Sequence, residues 1–267
     1  MTTGQPWVLL RGLTRESRHW GGFPAALETA LGAQAHCLDL PGNGGLNHLR
    51  SPASVAAMAD WCHGELRRRG IERPCRVLAM SLGAMVTVAW AQRHPGDLDR
   101  AVLVNTSLKP FNPVFQRLRP ANYLLLLRLM ALPHSAAGIE RAILGMTARH
   151  PPEPSALLLE WTRLRVENPV SRQNALRQLL AAARYRAPMM PPLDKLLLLA
   201  SARDGLVDPR CSRRLAAAWR APLIEHPDAG HDLPLDDPRW VVEQVAAWVQ
   251  ADAVALPRAG NENAILP

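Results

Sequence analysis

Apolar residues in this chain follow two alternating rhythms. Short compact runs at residues 7–10, 35–40, 76–80 and 101–105 read as buried strands. Between them, residues 23–31, 54–69 and 82–93 repeat their apolar positions at helical spacing. After residue 190 the alternation resumes, with strands expected at 195–200 and 222–225 and helices at 211–219 and 238–250. Strand followed by helix followed by strand predicts a mostly parallel central sheet flanked by helices, an α/β class fold.

The middle of the chain breaks this rhythm. From 113 to 187 the pattern gives four helical stretches, near 120–130, 136–148, 154–166 and 171–185, and no strand. Pro133, Pro151, Pro152, Pro154, Pro169 and Pro188 punctuate them. An all-helical insertion between two strands of a parallel sheet predicts a cap over the strands' carboxyl ends, where open α/β sheets place their sites. The expected organisation is therefore a core of residues 1–110 and 191–255, a four-helix cap at 111–190 and a loose tail at 256–267.

Composition narrows the class. At 267 residues and 48% apolar content the chain can bury one large core. The run from Tyr123 to Leu127 is closed by Arg128, so no stretch is long enough to span a membrane, and without a secretion signal the expected location is cytoplasmic. Cys37, Cys62, Cys75 and Cys211 show no paired spacing, so neither a metal site nor a disulfide framework is expected. The net charge of +8 is concentrated: eleven arginines against four glutamates in 111–190 carry seven of those charges. Few aromatics interleave with these arginines, which argues against nucleic acid and for an acidic partner or anionic substrate, or for solvated helix faces.

Chemistry enters at Ala79-Met80-Ser81-Leu82-Gly83. A strand that turns directly into a helix at a serine packs backbone on backbone, so the residues two before and two after it must be small. Such a turn holds the hydroxyl clear of the sheet and aims unpaired helix N–H groups at an incoming oxyanion. A serine hydroxyl is a poor nucleophile until an imidazole takes its proton, and the resulting imidazolium needs a fixed carboxylate. Asp204 and His231 supply these in the required order, each in a loop just after a strand. Asp208, before Pro209, and Asp228 are rival acids. The expected oxyanion hole draws on the N–H of Leu82 and the N–H of Leu13, with Gly12 permitting the turn after the first strand. The turn of Asp39, Pro41, Gly42 and Gly44 reads as structural.

On these marks, together with Arg11 and Trp20, the chain resembles the α/β-hydrolase fold superfamily over almost its whole length. Among capped members it is similar to the pimeloyl-carrier-protein methyl esterases of biotin synthesis and to the menaquinone-pathway lyase that shares their core. The esterase resemblance implies a cap that receives an acidic acyl carrier protein. Two positions depart from most relatives: Arg11 stands where histidine is usual before the oxyanion glycine, and Ala79 where glycine is usual before the nucleophile. Alanine keeps the elbow small enough, whereas Arg11 would either bind a substrate carboxylate or phosphate or pair with a structural acid.

The expected reaction is hydrolysis of a carboxylic ester or thioester through an acyl-enzyme on Ser81, with no metal or organic cofactor. Alternatives are a cofactor-free lyase or carbon–carbon bond hydrolase on the same triad, and a silent binding protein. Arg11, Gly12, Trp20, Phe111, Tyr123 and Trp161 are candidates to touch substrate, with Phe115, Leu127, Met130 and Tyr185 beside them; at helical spacing such cap residues are more often cap core.

Overall fold

The computed structural model describes residues 4–255, so the expected tail at 256–267 lies outside the described residues. Six strands form one parallel sheet: β1 (Trp7–Leu10), β2 (Ala35–Leu38), β3 (Cys75–Met80), β4 (Leu98–Val104), β5 (Leu196–Ser201) and β6 (Leu223–His226). Their order is β2-β1-β3-β4-β5-β6. The chain therefore reverses its direction of travel across the sheet between β1 and β3, and the strand ends diverge there into a crevice.

Both faces of the sheet are covered. Along β1, Trp7 and Leu9 pack toward α1 (Phe23–Leu31), while Val8 and Leu10 pack toward α2 (Val55–Arg68) and α3 (Leu82–Arg93). All four residues are fully buried, which is why the run reads as continuous rather than alternating apolar sequence. Helix α3 is buried from Leu82 to Ala91, as suits the helix that leaves the central strand.

Between β4 and β5 come α4 (Val114–Arg117), α5 (Tyr123–Ala131), α6 (Ala136–Thr147), α7 (Pro154–Glu167) and α8 (Arg172–Arg184). The side chains of Ser135 and Ser171 accept hydrogen bonds from backbone N–H groups in the first turns of α6 and α8, and Pro154 opens α7. The core closes with α9 (Arg210–Trp219), the single turn α10 (Leu233–Asp236) and α11 (Pro238–Ala255).

Differences from the pattern-based expectation are local. Strand β4 begins at Leu98, where its backbone pairs with Cys75, and not at residue 101. The stretch expected at 120–130 divides into a 3-10 turn (Pro120–Asn122) and α5. Helices α4 and α10, each one turn long, carry too few residues to show a period. No helix of the described residues is long and apolar enough to cross a membrane.

Candidate active site

Ser81 sits between β3 and α3 with φ 53° and ψ −115°, a conformation in which a non-glycine residue costs roughly 1–3 kcal/mol. The turn is held from both sides: the Ser81 N–H donates to the Val104 carbonyl at 3.0 Å, and α3 begins at the next residue. Gly83 explains the tightness. A methyl group there would lie 2.6 Å from the Leu10 carbonyl oxygen and 2.7 Å from that of Arg11, so the end of β1 passes directly over the first turn of α3. Gly12 faces the serine itself, where a Cβ would come within 3.2 Å of the Ser81 Cβ.

His231 and Asp204 meet at the same sheet edge. His231 Nδ1 and Asp204 Oδ2 are 2.7 Å apart, and both side chains are almost fully buried. The other oxygen of Asp204 accepts from the N–H groups of Leu206 and Val207 at 2.8 and 2.9 Å, which fixes the carboxylate's orientation. Burial disfavours a charged ring at His231, but the Asp204 charge and hydrogen bond outweigh it and raise the imidazole's pKa above its ordinary value. The rival Asp208 is held by the Arg210 guanidinium and accepts from the Arg210 N–H at the start of α9, and Asp228 pairs with His150 at the surface. Neither bonds His231 among the described residues.

Asn105, which the sequence reading passed over, anchors this edge. At φ 46° it follows β4, and its amide nitrogen donates to Ser201 Oγ at 2.9 Å and to the His231 carbonyl at 2.8 Å. Its amide oxygen accepts from the Ser201 N–H at 2.8 Å. The strand end that leads to Asp204 and the loop that carries His231 are thereby tied to one side chain. The signal in sequence was an asparagine at a strand end, a residue that tolerates the left-handed region. Gly230 answers a different need, because a Cβ there would lie 2.8 Å from the Thr147 carbonyl at the end of α6.

Arg11 is paired. Its guanidinium meets Asp232 two-pronged, at 3.0 and 2.5 Å, with both side chains about 3% exposed, and it stacks 4.7 Å from the Trp20 ring centre. A second buried cluster joins the loop after β1 to the inserted helices. Arg15 reaches Glu140 of α6 at 2.6 Å and lies 4.0 Å over the ring of Trp161 in α7, while Arg165 also bonds Glu140.

These elements enclose a cavity of about 250 Å³. Ser81, Leu82, Gly12, Leu13, Arg11 and His231 line its floor, and Leu126, Met130, Ile139, Ile143, Met146 and Leu179 of α5, α6 and α8 line its roof. Four aromatic residues expected near substrate stand elsewhere. Trp20 stacks on Phe23 beneath Arg11; Phe111 packs edge-on against Trp219; Tyr123 is 41% exposed; Trp161 is buried behind Arg15 and His19. Trp20, Phe111 and Trp161 each pack against a neighbouring ring or guanidinium, and the cavity wall is made instead by aliphatic and sulfur-bearing side chains of α5, α6 and α8. The inserted segment's cations also divide: Arg117, Arg165 and Arg172 line the cavity, so part of the positive charge that suggested a protein partner faces inward.

Residues 7–244 match the model of the alpha/beta hydrolase family. No curated protein is significantly similar in sequence. Among solved structures, the chain is similar to a malate-bound thermophilic esterase from Thermogutta terrifontis (20% identity, 94% of this chain and 91% of that one, TM-score 0.69). It is also similar to the enol-lactonase of Burkholderia xenovorans LB400 (19%, 92% and 92%, 0.74). A third likeness is to 2-hydroxy-6-oxo-6-phenylhexa-2,4-dienoate hydrolase of Rhodococcus sp. strain RHA1 (18%, 94% and 92%, 0.74). At these identities the likeness is one of fold.

Proposed function

Because this chain belongs to the alpha/beta hydrolase family, we propose that it hydrolyses a carboxylic ester or thioester through an acyl-enzyme on Ser81. The observation that carries this reading is the short, oriented contact between Asp204 and His231 at the edge of a cavity that Ser81 also lines.

In this reading His231 Nε2 takes the Ser81 proton as Oγ attacks the carbonyl carbon, and Asp204 holds the ring in the tautomer that leaves Nε2 free to accept. The backbone N–H groups of Leu82 and Leu13 receive the tetrahedral oxyanion, helped by the positive end of α3. His231 then returns the proton to the leaving alcohol or thiol, and water repeats the sequence on the acyl-enzyme. A 250 Å³ apolar cavity lies just below the roughly 300–1,000 Å³ common for small-molecule sites, which favours a short to medium acyl chain over a long lipid.

The test is turnover of p-nitrophenyl esters from acetate to decanoate by the purified protein and by Ser81→Ala. Esterase activity that peaks at short to medium chains and vanishes in the variant supports the proposal. Full activity in Ser81→Ala removes it.

A further inference from the structure

The cavity holds more positive than negative charge, and one of its arginines is both buried and without a carboxylate. Five arginines line it, Arg11, Arg15, Arg117, Arg165 and Arg172, beside a single carboxylate, Asp232. The charge of Arg11 is paired with that carboxylate, although its Nε, like Nη2 of Arg15, meets no acceptor, and Arg15 and Arg165 share Glu140 just behind the wall. Arg172 is exposed and donates to the Leu132 carbonyl. Arg117 is buried and has no carboxylate partner among the described residues.

Arg117 closes α4 and is 9% exposed. Its Nη2 donates to the Ala182 carbonyl at 2.6 Å and its Nη1 to that of Ala183 at 3.3 Å, both in the last turn of α8. Its Nε is buried and meets no acceptor, and no carboxylate lies within ion-pair reach among the described residues. A guanidinium carries five N–H donors in a planar fork, so most of this one is unspent. Burial accordingly pushes its pKa below the usual arginine value. Helix-end carbonyls explain why the side chain lies where it does, but partial charges do not neutralise a buried cation, and an unpaired buried charge is costly to keep. An anion delivered by the substrate would complete it, in the two-pronged geometry that guanidinium and carboxylate share.

We propose that Arg117 is a specificity-determining residue that receives a carboxylate at the far end of the substrate's acyl chain, so that the preferred esters are those of dicarboxylic acids. The proposal rests on the acyl-enzyme reading of Ser81. The apolar wall shared by Leu118, Leu126, Leu129 and Met130 accommodates the methylenes between the scissile ester and the charge. A site built to bind a charged group discriminates against the analogue that lacks it, because its own polar atoms are then left buried and unpaired.

The experiment compares two p-nitrophenyl esters of equal chain length, the hexanoate and the monoester of adipic acid, on the purified protein, Arg117→Met and Arg117→Lys. It is accompanied by calorimetric titration of the unmodified protein with hexanoate and with adipate. Expected is a kcat/KM at least tenfold higher for the adipate monoester, a ratio reduced to about one in Arg117→Met and partly retained in Arg117→Lys, and adipate binding at least tenfold tighter than hexanoate. A ratio that favours hexanoate in the unmodified protein, or that survives in Arg117→Met, overturns the proposal. Should neither ester be turned over, the esterase reading falls while calorimetry still decides Arg117: tighter adipate supports it, equal binding overturns it. Should Arg117→Met fail to fold, the lysine variant and the two measurements on the unmodified protein decide.

Discussion

Replacing Gly83 by alanine probes the geometry on which the candidate site depends. The added methyl would stand 2.6 Å from the Leu10 carbonyl oxygen, 2.7 Å from that of Arg11 and 2.9 Å from the Leu10 carbonyl carbon. All three are backbone atoms at or just past the end of β1, which pairs with both β2 and β3 as far as Leu10, so no side chain can rotate away. Clearing the contact requires α3 and the end of β1 to part by roughly 0.5–1 Å. Overpacking of this kind costs about 2–3 kcal/mol, the upper part of its usual range, which for a domain of this size lowers Tm by about 5–10 °C. The parting also separates the Ser81 elbow from the loop carrying Gly12 and Leu13, and displacements of that size slow catalysis by roughly tenfold to a hundredfold. Differential scanning fluorimetry and kcat on a p-nitrophenyl ester read both effects. Gly145 in α6 is the control: a Cβ there meets nothing within 4 Å, and Gly145→Ala should stabilise by about 0.5–1 kcal/mol. A Gly83→Ala protein with unchanged Tm and unchanged kcat would refute the reasoning.

Since His231 must be neutral to accept the Ser81 proton and its pKa is raised, kcat/KM should climb with pH through a midpoint above the ordinary histidine value of about 6.5. Asp204→Asn should shift that midpoint downward and slow turnover by roughly 10⁴-fold, as a pH–rate profile of both proteins will show. The same raised value makes the protonated ring a stabilising group, its contribution complete below about 6.5 and lost as pH rises through the folded-state pKa, which denaturant titration at several pH values detects. Arg11→Ala should cost about 3–5 kcal/mol because it strands the buried Asp232 carboxylate, and Arg11→Met combined with Asp232→Asn should recover more than half of the loss in urea unfolding.

Much of the frame was legible in the sequence because its physics is local. A parallel strand buried on both faces is a compact apolar run, and the elements at 7–10, 23–31 and 82–93 fall where β1, α1 and α3 stand. The elbow was legible because the two small residues around Ser81 are demanded by backbone contact, which Gly83 bears out in its distance to Leu10. What stayed hidden is set by pairings across long stretches of chain. Arg11 and Asp232 lie 221 positions apart, and nothing local says whether such an arginine waits for a substrate or for an acid of its own. Asn105 joins β4, β5 and the His231 loop through side-chain bonds that have no periodic signature. For the aromatic residues of the inserted helices, period tells which residues share a helix face but not what that face meets, and Trp161 shows that it can serve a buried arginine.

Ser81 as the attacking group is the claim on which the rest turns, and covalent capture tests it most directly. A fluorophosphonate should add one adduct per chain, mapped by peptide mass spectrometry to Ser81, abolish ester turnover in parallel, and fail to label Ser81→Ala. An adduct on another residue with turnover lost, or a fully labelled protein that still turns over ester, would contradict the account.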